Sequence, residues 1–114
     1  MQIDSQLKLA EAPYLPPQKI NQITLVLDLD ETLLHFEEIN ETEGQLSIRP
    51  GADTFLKQMA KYFEVVIFTA GTEEYADWAL SFLENVNCIS HRLYRQHAVP
   101  MGTYYVKDLS RIGR

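Results

Sequence analysis

The chain has 114 residues, of which 46% are hydrophobic and 23% charged, enough for one globular domain or a piece of one and unlike a disordered tail, a collagen-like fibre or a low-complexity scaffold. Its single cysteine, Cys88, excludes an internal disulfide framework and makes a reducing, intracellular setting the default. A net charge of −6 argues against direct binding of nucleic acid through a basic face, no apolar run is long enough for a membrane segment, and the first residues lack a signal peptide's apolar block.

Residues 1–19 contain Pro13, Pro16 and Pro17 and read as a lead-in segment rather than core. Gln22 to Leu29 is a continuous β-branched and apolar run, the pattern of a strand buried on both faces. It stops at Asp28-Leu29-Asp30-Glu31-Thr32. His35 to Gly44 is acidic, with turn residues at Asn40 and Gly44, and reads as a loop; Gln45 to Arg49 reads as a short strand. After Pro50-Gly51, the spacing of Phe55, Leu56, Met59 and Phe63 predicts a helix from Ala52 to Tyr62. Glu64 to Thr69 predicts a second buried strand. Gly71-Thr72 then opens a helix reaching about Leu83, with Glu73 and Glu74 at its positive end. Strands are expected at His91 to Arg95 and Thr103 to Val106. This alternation is the βαβ rhythm of an α/β parallel sheet, whose ligands bind beyond the carboxyl ends of the strands. Asp28 and Asp30 end the first strand, and Thr69 ends the second.

Charge is segregated along the chain. Asp28 to Glu43 holds seven acids and no Lys or Arg, whereas Arg92 to Arg114 holds five bases and one acid, Asp108. Solvated surface accounts for most of these residues, but an acidic stretch suited to a cation precedes bases suited to an anion. Asp28 and Asp30, two apart on an extended strand end, point to one side. Carboxylates that close repel unless they share a proton or a cation, and such a pair divides the labour of nucleophile and proton donor. Cys88, His91 and His97 have poor spacing for zinc, and His35 reads as a solvated loop residue.

The sequence Leu27-Asp28-Leu29-Asp30-Glu31-Thr32-Leu33 contains D-x-D-x-T. In order after it come Arg49-Pro50-Gly51, Val66-Ile67-Phe68-Thr69-Ala70, Tyr75-Ala76-Asp77, Arg92-Leu93-Tyr94-Arg95, and Tyr105-Val106-Lys107-Asp108-Leu109-Ser110 with Gly113-Arg114. Together they resemble phosphotransferases of the haloacid-dehalogenase superfamily and, within it, the RNA polymerase II C-terminal-domain phosphatases. The resemblance implies a haloacid-dehalogenase-like (Rossmann-like) parallel sheet with flanking helices, residues 20–114 being the N-terminal part of a phosphatase domain. It implies a Mg²⁺-dependent protein serine/threonine phosphatase in which Asp28 is the nucleophile and forms an aspartyl-phosphate. Asp30 would be the acid and then the base. Mg²⁺ would sit against the Asp28 carboxylate and the Asp30 backbone carbonyl. Thr69 and Lys107 would hold the phosphate, Tyr75 and Arg95 would face the substrate groove, and Thr32 would brace the loop.

Two departures stand out. Gly71 occupies a position where the branch often carries serine, a change expected to be tolerated. Members of the branch also continue past the counterpart of Gly113-Arg114 into a further strand that completes the metal site. The resemblance therefore predicts a fold incomplete at its C-terminus, an open edge on the first strand, and weak or absent activity of these residues alone. Only 16 residues separate Thr32 from Arg49, too few for a large cap, so the expected site is open to a phosphoprotein or phosphopeptide. The expected compartment is intracellular and nuclear, with cytoplasm and mitochondrion as alternatives. The competing function is a catalytically silent binding module of the same fold, as in a mitochondrial import translocase subunit; a metabolite phosphatase or phosphomutase is disfavoured by the missing cap.

Overall fold

The computed structural model describes residues 9–114. Three parallel strands form the main sheet: β1 (Ile23–Leu27), β4 (Phe63–Phe68) and β5 (His91–Leu93), in the order β1-β4-β5. Between β1 and β4 the chain makes an antiparallel hairpin, β2 (Leu34–Glu38) with β3 (Gly44–Ile48), and the helix α1 (Ala52–Met59). Helix α2 (Glu73–Leu80) links β4 to β5, and a second hairpin, β6 (Val99–Met101) with β7 (Tyr104–Val106), follows. The α/β parallel sheet is the one expected. Both helices lie on the same face, as right-handed crossovers moving steadily across β1, β4 and β5 require. Among the described residues, no helix is long and apolar enough to cross a membrane.

The centre of the fold is β4. Val65, Val66, Ile67 and Phe68 are all fully buried, and the period of two sends alternate side chains to opposite faces. Val65 and Ile67 pack under the helices with Leu29, Leu34, Leu56, Ala76 and Leu80. Val66 and Phe68 pack on the other face with Leu15, Leu93, Ala98 and Ile112. Among the described residues no α-helix covers that second face; the segments around Leu15 and Ile112 do.

The segment read as a lead-in therefore departs from expectation in its second half. Leu15 is buried, the Tyr14 and Leu15 amides donate to the Arg111 and Ile112 carbonyls at 3.1 and 3.0 Å, and the Arg111 guanidinium lies 5.5 Å from the Tyr14 ring centre. Prolines signal the absence of regular structure, not the absence of burial. A second correction concerns His35 to Gly44, expected as a loop. Its first half is β2, with Leu34 and Phe36 on one face and His35 and Glu37 on the other. The acids masked that alternation. The turn itself is at Asn40, whose Oδ1 accepts from the Thr42 and Glu43 amides, each at 2.9 Å. Strand β6 was not anticipated, because Pro100 interrupts its pattern. Both helices end about a turn earlier than expected, at Met59 and Leu80.

One buried charge ties the ends of the chain to the sheet. Glu64, on β4, takes two bonds from Arg114 at 2.6 and 2.9 Å, one from Thr24 Oγ1 at 2.8 Å and one from Gln18 Nε2 at 3.0 Å. The Arg114 guanidinium, backed by the Thr24 and Gln18 donors, holds the Glu64 carboxyl down at about 2. Removing one member of a buried pair costs roughly 3 kcal/mol or more, so Arg114→Ala should lower the unfolding free energy in urea by about that amount. The pH dependence has a defined sign. The unfolded carboxyl binds a proton near its ordinary 4.5 while the folded one resists until about 2, so this contribution is complete above 4.5 and lost as pH falls between those values. Glu64→Gln should remove that component of acid denaturation.

Candidate active site

The site is built at the carboxyl ends of β1 and β4. Past Leu27 the backbone folds into a tight turn in which the Leu29 carbonyl accepts from the Leu33 amide at 2.9 Å and the Glu31 amide donates to the Leu34 carbonyl at 2.8 Å. Glu31 takes a left-handed conformation, φ 63°, which costs a non-glycine residue stability and is characteristic of functional turns. That turn buries Leu29 and brings Asp28 and Asp30 out on the same rim.

Asp28 Oδ1 accepts from the Leu29 amide at 2.8 Å and lies 2.8 Å from Lys107 Nζ, with both side chains partly exposed. The two residues are far apart in sequence. The β6–β7 hairpin delivers Lys107, and the next residue, Asp108, anchors the following turn by accepting from the Ser110 amide at 3.1 Å and Ser110 Oγ at 2.6 Å. Those bonds hold the Asp108 carboxyl below its ordinary value.

Asp30 is gripped from α2. The Tyr75 hydroxyl donates to Asp30 Oδ1 at 2.5 Å. Burial, then this bond to a carboxylate, hold the Tyr75 phenol well above the ordinary tyrosine value, so it remains a donor. Thr72 caps the helix, its Oγ1 accepting from the Tyr75 amide at 3.3 Å. Gly71 leaves room for the ring: a Cβ there would stand 3.1 Å from Tyr75 Cδ2 and 3.2 Å from Thr69 Oγ1.

Arg95 reaches the same place from beyond β5. Its amide donates to the Gly71 carbonyl at 2.9 Å, its Nε donates to the Ala70 carbonyl at 2.8 Å, and its guanidinium lies 5.2 Å from the Tyr105 ring centre. Asp77 steadies this corner by accepting from Arg92 Nη1 at 2.8 Å and from the Tyr94 hydroxyl at 2.7 Å. Burial, reinforced by that bond, pushes Tyr94 up to about 12. An open cleft of about 550 Å³ runs between these parts, walled by Asp30, Phe36, Gly71, Thr72, Tyr75 and Arg95.

Asp28 thus meets Lys107, Asp30 meets Tyr75, and Tyr75 and Arg95 share one cleft. Thr69 stands apart: it is 1% exposed and its Oγ1 accepts from the Gly71 amide at 3.0 Å, bracing the loop and leaving the hydroxyl proton to donate. Phe36 was not singled out from sequence, because it lies in the acidic stretch read as a loop, and Tyr105 was marked only by its place in Tyr105-Val106-Lys107. Asp77 was marked only by its place in Tyr75-Ala76-Asp77. Asp28 keeps one carboxylate oxygen, and Asp30 its backbone carbonyl, that takes no hydrogen bond among the described residues. Such hard oxygen donors, few in number, fit a Mg²⁺ ion that retains water and binds phosphate. No group of three or more His, Cys, Asp or Glu side chains gathers among the described residues to hold a cation more fully.

Residues 23–114 match the sequence profile of NLI interacting factor-like phosphatases. The chain belongs to that family. A probable C-terminal domain small phosphatase of Dictyostelium discoideum is 40% identical over 97% of the chain and 42% of its own length. The carboxy-terminal domain RNA polymerase II polypeptide A small phosphatase 2 of Mus musculus is 40% identical over 90% of the chain and 43% of its own length. The human small phosphatase 1 of the same description is 36% identical over 90% of the chain and 45% of its own length. The chain therefore spans less than half the length of these curated relatives. Family membership bears out the resemblance read from the ordered motifs.

A test of the site's geometry needs no substrate. In a phenolate absorbance titration, Tyr75→Phe should remove no signal through the ordinary tyrosine range, around pH 10, because Tyr75 does not ionise there. Loss of a full tyrosine's absorbance change in that range would mean that the ring is not held buried against Asp30 in solution.

Proposed function

We propose that this protein is a Mg²⁺-dependent phosphatase acting on phosphoserine or phosphothreonine within a polypeptide, through an aspartyl-phosphate on Asp28. The observation carrying this reading is the contact between the Asp28 carboxylate and the Lys107 ammonium at the carboxyl end of β1, two residues before a carboxylate held by a tyrosine hydroxyl. A binding module of this fold has no need of that pairing.

The Asp28 oxygen attacks phosphorus as the bond from phosphorus to the serine oxygen breaks. Asp30, in its protonated form, gives that oxygen its proton, while the Tyr75 hydroxyl, donating to Asp30 Oδ1, orients the carboxyl. Asp30 then removes a proton from water as the water oxygen attacks phosphorus, and the bond from phosphorus to Asp28 breaks, releasing phosphate and restoring the carboxylate. Lys107 offsets charge on Asp28 and the phosphoryl oxygens. Thr69 has a hydroxyl proton free for one of those oxygens, and Arg95 faces the substrate chain. When bound at Asp28 and Asp30, Mg²⁺ supplies further positive charge against the transferring group.

The substrate class follows from access. The only structure between Thr32 and Arg49 is the β2–β3 hairpin, and the cleft stays open beside it, so a protein segment fits without a closing cap. The names of the mouse and human relatives point to the phosphorylated C-terminal domain of RNA polymerase II as a substrate of this kind.

Phosphate release from a phosphoserine peptide by the full-length protein tests the reading. Asp28→Asn should reduce kcat by about 10³-fold or more and Lys107→Met by about 10²-fold, as expected for a lost nucleophile and a lost transition-state charge. Chelation of Mg²⁺ should abolish turnover and its return restore it. Undiminished release by Asp28→Asn, or in chelator, would overturn the proposal.

A further inference from the structure

Four aromatic rings run away from Asp30 along the outer side of α2. Tyr75 and Trp78 are 6.2 Å apart between ring centres and Trp78 and Phe82 are 5.2 Å apart, while Phe36 stands edge-on to both Tyr75 and Trp78 at 6.1 Å. The row begins inside the cleft and leaves it: Trp78 is 46% and Phe82 54% exposed. The β2–β3 hairpin is shaped to present Phe36, since a Cβ on Gly44 would fall 2.3 Å from Phe36 Cζ. Exposed aromatic surface of this extent beside a catalytic cleft calls for an occupant.

Charge identifies the occupant. The hairpin stretch 29–48 and the α2 stretch 62–91 contain no Lys or Arg. Near the rings, Glu31 is engaged with His35 and Glu73 with Gln96. Glu38, on the Phe36 face of β2, and Glu74, one turn before Trp78, make no hydrogen bond or ion pair among the described residues. Of the nearby cations, Arg95 lines the Asp30 end of the cleft, Lys107 is held at Asp28 and Arg92 is paired with Asp77; none of them is paired with Glu38 or Glu74. A second copy of this chain, at net charge −6, would bring more acid to an acidic rim.

We propose that this aromatic row is the docking track for the flank of a phosphopeptide bearing Arg or Lys, its side chain lying over Trp78 between Glu38 and Glu74. The phosphate anchor of this track rests on the phosphatase reading. An extended chain advances roughly 3.3 Å per residue and neighbouring rings of the row are 6.2 and 5.2 Å apart, so each step from ring to ring takes about two residues and a basic residue about two to four positions from the phosphorylated one lies along the row. A cation over an aromatic face with a nearby carboxylate favours such a peptide about tenfold.

The test compares phosphoserine peptides that differ only in Arg, Ala or Glu three residues before or after the phosphoserine. With the full-length protein and Mg²⁺, kcat/KM for the Arg peptide should exceed that for the Ala peptide about tenfold on one side, with Glu weakest. Trp78→Ala should bring the Arg-to-Ala ratio close to one, and Glu74→Gln should lower it in part. Without Mg²⁺, binding is read directly from the fluorescence of Trp78, the single tryptophan of these 114 residues, as the signal absent from Trp78→Phe; it should respond at about tenfold lower Arg peptide. Equal turnover and equal affinity for Arg and Ala peptides would overturn the docking track and leave the phosphatase reading intact. Tighter binding of the Arg peptide with no turnover of any peptide would uphold the track and overturn the phosphatase reading. Preference for the Glu peptide would overturn the track.

Discussion

Everything in this fold is organised by the double-sided burial of β4. A strand with no polar side chain from Val65 to Phe68 needs apolar partners on both faces, and only one of those faces is met by helices. The other is closed by Leu15 from the start of the chain and Ile112 from its end, the Leu15 amide donating to the Ile112 carbonyl. Covering that face obliges the residues after β5 to pass back over the sheet, and the β6–β7 hairpin on that path carries Lys107 to Asp28. The hydrophobic demand of one strand is thus what assembles the charge pair of the site.

The opposite end of the same strand is secured differently. Glu64 is a buried carboxylate that persists because Arg114, Thr24 and Gln18 satisfy it together. The first stretch of the sheet, its central strand and the last residue are joined in one network, away from the carboxyl ends where the chemistry is proposed. Rigidity at that base leaves the rim free to hold costly features: the left-handed Glu31, two neighbouring carboxylates, and aromatic rings exposed to solvent.

The site itself is a juxtaposition of opposite electrostatics. Arg95 and Lys107 come from the basic last quarter of the chain, while Asp28, Asp30 and the acids of the hairpin and α2 come from segments without a single Lys or Arg. The tertiary fold sets these two populations against each other across an open cleft. The two ligand groups proposed above, a phosphate and a positively charged peptide flank, are opposite in charge in the same way.

Much of this was legible from residues alone. The apolar runs of β1 and β4, the Thr72 cap and the choice of Asp28 and Asp30 follow from local patterns, because strand formation, capping and motif spacing are encoded within a few residues of one another. Thr69, Tyr75, Arg95 and Lys107 were named only through the resemblance of the ordered motifs to a family, and β1, expected to be buried on both faces, is an edge strand whose Ile23 is 72% exposed. The burial of Leu15, the pairing of Glu64 with Arg114, the strand hidden in the acidic stretch at Phe36 and the contacts of Tyr75 with Asp30 were decided only by the tertiary structure. Each depends on residues distant in sequence, and neither a proline-rich segment, a glutamate within an apolar strand nor a phenylalanine among acids reveals locally which partner the fold will bring to it.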